Sequence, residues 1–151
     1  MPKNHWVPLE SNPDVINKYL LKLGLLPTVQ FCDVYGTDEG LLSMVPDPCH
    51  AFILLFPISE NYLNFTKTEK IGKAPETLFF MKQTIGNACG TIGILHALSS
   101  IKSQLKFSDN SVLEKLLDKF DQDVDSSVDG IAEKRANMLK FKKKMNFFGK
   151  K

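Results

Sequence analysis

The amino-acid pattern predicts an α/β fold, with helices and strands interleaved along one chain, and three observations predict it. An amphipathic helix pattern follows Asn12-Pro13, with Ile16, Tyr19, Leu20 and Leu23 spaced for one buried face. The nearly unbroken apolar run His50–Ile58 reads as a strand buried on both faces. Further on, the strand-like or loop stretch Leu78-Phe79-Phe80-Met81 gives way to a helical pattern from Thr91 to Ile101, with a cysteine at the changeover. A chain of 151 residues, 43% hydrophobic, is large enough to bury a core as one domain.

In order, Trp6–Leu9 is expected as a short strand, leading to the first helix. Ser11 or Asn12 serves as its N-cap, Pro13 stands in its first turn, and Gly24 falls just past its end. Val29–Tyr35 is expected as a strand, Asp38–Val45 as a short helix, and Pro46-Asp47-Pro48 as a turn before the buried strand. Thr66–Glu76 is polar, contains Gly72 and Pro75, and is expected as an exposed loop. Gly90 and Gly93 each cost about 1 kcal/mol relative to alanine inside a helix, which points to close approach of that helix to a sheet. Ser111–Gln122 is amphipathic through Val112, Leu113, Leu116, Leu117 and Phe120, and Ile131–Lys144 is a weaker, basic helix. There is no internal repeat, and the only low-complexity stretch is the lysine-rich end.

Composition excludes several function classes. There is no run of 18 apolar residues and no basic-then-apolar leader, so no membrane span or signal peptide is expected. Three cysteines without paired spacing suit a reducing compartment, hence a cytoplasmic protein. No metal or other cofactor is expected. Cys32, in a strand-like run, reads as a small buried hydrophobe, and Cys49 as a loop thiol. The formal charge of +2 conceals a division: six lysines and no acid lie between Lys140 and Lys151, leaving 13 basic against 17 acidic residues elsewhere. The basic end reads as solvated chain rather than as a nucleic-acid site.

Cys89 is the chemical centre of interest. A thiol at a helix N-terminus faces unpaired backbone N–H groups and the positive end of the helix dipole, which favour thiolate. Gln83, six residues earlier, offers an amide donor for the same centre, and Asn87 is expected as the helix cap. No histidine follows His96. His96 itself lies seven residues along the same helix, about 10 Å from Cys89 at 1.5 Å per residue, too far for a general base. It is expected on the core or helix face, and no motif supports His5 or His50.

Gln83…Asn87-Ala88-Cys89-Gly90-Thr91 resembles the nucleophile segment of the ubiquitin C-terminal hydrolases, papain-like deubiquitinating enzymes. Trp6-Val7-Pro8-Leu9-Glu10-Ser11-Asn12-Pro13, Asp33-Val34-Tyr35-Gly36, Leu41–Pro46 and Ala51–Ile58 follow in that family's order. The resemblance is good from Trp6 to about Ser100 and thinner to Leu139, so 1–139 is expected as the N-terminal portion of such a domain and 140–151 as a divergent tail. It implies an α-β-α sandwich around a central antiparallel sheet, with a knotted path. It also implies Cys89 as nucleophile, Gln83 as transition-state stabiliser, and Pro8, Leu9, Glu10, Ser11, Asn12 and Pro13 as contacts for ubiquitin or its conjugates, whose arginine-rich tail suits the acidic body. The family's catalytic His and Asp, and further strands, would lie beyond Lys151. Two expectations follow: a thiol hydrolase of ubiquitin conjugates, seen in a chain cut short, or a ubiquitin-binding remnant without turnover.

Overall fold

The computed structural model describes residues 6–68 and 79–123. Five α-helices run in order: α1 Pro13–Lys22, α2 Glu39–Leu42, α3 Glu60–Thr68, α4 Cys89–Ser100 and α5 Val112–Asp123, with a 3₁₀ turn at Lys102–Gln104 between the last two.

Local chemistry sets the first helix. The Asn12 carboxamide oxygen accepts from the Asp14 amide at 2.8 Å, Pro13 supplies a fixed φ in the first turn, and Lys22 sits in the last turn where a cation suits the dipole. The helix closes at Leu23, and Gly24 follows with φ of 96°, the left-handed conformation that glycine adopts without strain. A side chain there would also collide with Ser111, whose Oγ lies 2.6 Å from any Cβ built at Gly24.

That close approach joins α1 to α5. The Leu23 carbonyl accepts from the amides of Val112 and Leu113 and from the Ser111 hydroxyl, so the end of one helix satisfies the start of the other. Ser111 Oγ in turn accepts from the Glu114 amide at 3.1 Å. Beside this junction the chain pairs briefly: Leu25 and Phe107 form an antiparallel bridge, and the Leu26 amide donates to the Lys106 carbonyl. The core fills the space between α1, α4 and α5. Leu20 and Leu23 meet Leu95 and Leu98 of the central helix and Leu113, Leu117 and Phe120 of the last one, with Trp6 and Leu25 completing the cluster.

The expected helices form where the 3.6-residue period was carried by several apolar positions. The expected strands do not. Trp6–Leu9, Val29–Tyr35 and His50–Ile58 carry no strand pairing, and the central antiparallel sheet of an α-β-α sandwich is not formed among the described residues. The physical reason is that strand structure is a property of a pair: a segment with β composition has no ladder until a neighbour donates to it. His50–Ile58 is therefore exposed rather than buried on both faces, with Leu54 80% accessible. Cys32 is likewise exposed instead of buried. Thr66–Thr68 belongs to α3 rather than to a loop, the Ser59 hydroxyl accepting from the Tyr62 amide at the helix start. The rest of the expected loop from residue 69 to 76, the expected helix Ile131–Lys144 and the lysine-rich end lie outside the described residues.

Candidate active site

Cys89 is the first residue of α4 and is exposed. Ala88, which precedes it, is buried and caps the helix without a side-chain hydrogen bond. The first turn contains no acidic residue, whereas each of the other four α-helices carries Asp or Glu there. The amides of an α-helix's first turn have no intrahelical acceptor. The start of α4 thus has neither a side-chain cap nor an acid within its own first turn, and the thiol stands beside its positive end.

Asn87 does not cap the helix. It adopts φ of 61°, in the left-handed region that asparagine tolerates better than most residues, and its amide donates to the Trp6 carbonyl at 3.2 Å. One residue earlier, the Gly86 carbonyl accepts from the Trp6 amide at 2.9 Å. The turn that delivers Cys89 is thus tied at two consecutive residues to the N-terminal segment. The sequence signal was the dipeptide Gly86-Asn87, a turn pair placed directly before a helix.

The other end of the loop is held by His96. Its Nε2 accepts from the Met81 amide at 2.9 Å, and its ring meets Phe79 edge-on and stacks on Phe80. Burial lowers its pKa below 6.5. Its assignment to the helix face stands, and its role in fixing backbone was not legible from the sequence. Gln83, between the two tethers, is exposed and donates its side-chain amide to the Ile85 carbonyl at 2.9 Å. His50 is exposed, and His5 lies outside the described residues.

The segment Pro8–Pro13 comes to the same place. A Cβ at Gly90 would lie 3.4 Å from Leu9 Cβ and 3.7 Å from the Leu9 carbonyl oxygen, so the extended segment lies against the first turn of α4. Neither helix glycine faces the sheet that was expected: a Cβ at Gly90 would meet Leu9 and one at Gly93 would meet Ile53 at 3.9 Å, both ordinary contacts that do not require glycine. Pro8, Glu10, Ser11 and Asn12 remain exposed, while Leu9 and Pro13 are half-buried. Among the described residues no three His, Cys, Asp or Glu side chains group as metal ligands, and no helix is long and apolar enough to cross a membrane.

A cysteine opens the central helix, and a glutamine lies on the loop that leads to it. The chain belongs to the ubiquitin carboxyl-terminal hydrolase family: a family model described as "Ubiquitin carboxyl-terminal hydrolase, family 1" matches residues 6–147. It is 50% identical over 115 residues to "Ubiquitin carboxyl-terminal hydrolase 3" of Arabidopsis thaliana, covering 73% of this chain and 49% of that protein. It is 44% identical over 123 residues to "Probable ubiquitin carboxyl-terminal hydrolase" of Dictyostelium discoideum, covering 78% and 48%. To "Ubiquitin carboxyl-terminal hydrolase isozyme L1" of Rattus norvegicus it is 44% identical over 114 residues, covering 73% and 51%. The matched part spans about half the length of each of these relatives.

Proposed function

We propose that the chain carries the nucleophile portion of a cytoplasmic, thiol-dependent hydrolase of ubiquitin C-terminal conjugates, with residues 1–139 as that portion and 140–151 as a divergent tail. One observation carries this reading: Cys89 is exposed at the N-terminus of α4, whose first turn has no side-chain cap and no acidic residue of its own. Attack of its thiolate on the carbonyl carbon of the terminal glycine forms a C–S bond. The developing oxyanion is stabilised by the Cys89 amide and, once Gln83 turns from the Ile85 carbonyl, by its carboxamide. Collapse breaks the bond to the leaving group, which needs a proton, and water then hydrolyses the thioester. Pro8, Leu9, Glu10, Ser11, Asn12 and Pro13 supply the ubiquitin contact, supported by the position of Leu9 against Gly90. Charge reversal at Glu10 is expected to weaken ubiquitin binding; unchanged affinity counts against the contact.

Deacylation and leaving-group protonation require a general acid–base, which contributes about 10²–10⁴-fold. His96 engages its Nε2 with the Met81 amide and is not available for this. This favours a second reading, in which the 151-residue chain binds ubiquitin and acylates slowly without turnover. A ubiquitin–fluorophore assay separates the two. The expected result is no multiple turnover by this chain, with Cys89→Ala abolishing covalent capture by a ubiquitin C-terminal electrophile. Robust turnover lost in Cys89→Ala would overturn the second reading, and capture that survives the substitution would overturn Cys89 as nucleophile.

A further inference from the structure

The N-terminal segment touches the nucleophile turn at three points, and one side chain makes the link specific. The Trp6 amide donates to the Gly86 carbonyl, Asn87 Nδ2 donates back to the Trp6 carbonyl, and Leu9 lies on Gly90. Trp6 is buried, and its indole N–H has no partner among the described residues, so the ring is held by packing and the residue by its two backbone bonds. Asn87 is strained for most residues at φ of 61°, and asparagine both tolerates that backbone and carries the donor that the Trp6 carbonyl receives. Aspartate would tolerate the backbone equally but, ionised, has no donor. Glycine would relieve the strain and remove the side chain.

We propose that Asn87 is a positioning residue for Cys89: its clasp on the Trp6 carbonyl makes the N-terminal segment and the nucleophile turn one unit, so that the thiol is held at the α4 N-terminus. This rests on Cys89 as nucleophile, but it reaches further, because the clasp ties the proposed ubiquitin contact at Pro8–Pro13 to the reacting atom through the backbone. A ubiquitin tail settling on that segment would then act on the turn through Trp6 and Leu9, both of which the clasp keeps in register with Cys89.

Trp6 is the only tryptophan in the chain, so its emission reports the clasp directly. The experiment compares the full chain with Asn87→Asp and Asn87→Gly. Two quantities are read: Trp6 emission, and the iodoacetamide alkylation rate at Cys89 relative to exposed Cys32, by peptide mass spectrometry. Asn110→Asp is the matched control, since Asn110 also has φ of 61° but precedes α5 and accepts from Lys115. Both Asn87 variants are expected to shift Trp6 emission to the red and to lower the Cys89:Cys32 ratio by about threefold or more, the scale of one net hydrogen bond, with Asn110→Asp unchanged in both. A purely structural role would move Trp6 and the melting temperature but leave the ratio alone. An unchanged or raised ratio in Asn87→Gly, which keeps the backbone unstrained, overturns the proposal, as does a lowered ratio without movement of Trp6. Alkylation does not ask for turnover, so this result stands apart from failure of Cys89 to be captured by a ubiquitin electrophile.

Discussion

The helical core and the apolar stretch from Ala51 to Ile58 are built from the same kinds of side chain and end in opposite environments. Leu113, Leu117 and Phe120 are almost completely buried, whereas Phe52, Leu54, Leu55 and Ile58 are each more than two-thirds exposed or close to it. Hydrophobicity is alike in the two regions, so it does not decide burial. The core helices satisfy their own backbone and need only a facing surface, which α1, α4 and α5 provide for one another. The segment Ala51–Ile58, which forms no helix, needs a neighbouring strand before its backbone and its two faces can both leave water.

The largest expected difference between the regions is in stability. Phe120→Ala removes a buried ring stacked on Phe79 and should cost about 3–5 kcal/mol. Leu54→Ala should stay within about 0.5 kcal/mol, as for an exposed position. Urea unfolding of both variants checks the pair, and equal losses would mean that the Ala51–Ile58 stretch is packed in solution.

The same contrast predicts association. The uncharged apolar stretch Ala51–Ile58, left open, favours contact between copies, and the full chain should sediment partly as oligomers that Leu54→Lys reduces. A monomeric profile with a sharp cooperative melt would break the comparison. At the core's edge, Ser111→Ala removes both the acceptor for the Glu114 amide and a donor to Leu23, and a loss of about 1–2 kcal/mol is expected in thermal unfolding. Little change would show that Gly24 and the backbone bonds alone hold α1 to α5.

The smallest effect is titration of His96, which is half-exposed. Its folded pKa lies below 6.5, so as pH falls the unfolded chain takes up the proton first. Its contribution to stability is therefore whole above about pH 6.5 and is lost as pH drops through the lower folded value. His96→Gln keeps an acceptor for the Met81 amide without a titrating group, and should flatten the pH dependence of the melting temperature in that window.

Periodicity made α1, α4 and α5 legible, because their apolar positions recur with the helix's own period and their ends carry local signals at Asn12, Gly24 and Ser111. The position of Cys89 was readable for the same reason: a break in pattern marks a helix start whatever packs around it. Strand expectations at Trp6–Leu9, Val29–Tyr35 and His50–Ile58 rested on composition alone, and composition does not supply the partner on which pairing depends.

The sequence by itself determined the helical periods, their local caps and the placing of a thiol where strand-like chain turns into helix. Only the tertiary structure decided that Asn87 reaches back across 81 residues to Trp6, that His96 fixes the Met81 backbone, and that Leu9 lies against Gly90. Those contacts join groups far apart in the chain, and a hydrogen bond or a close approach between them follows from how the helices pack, which no local pattern encodes.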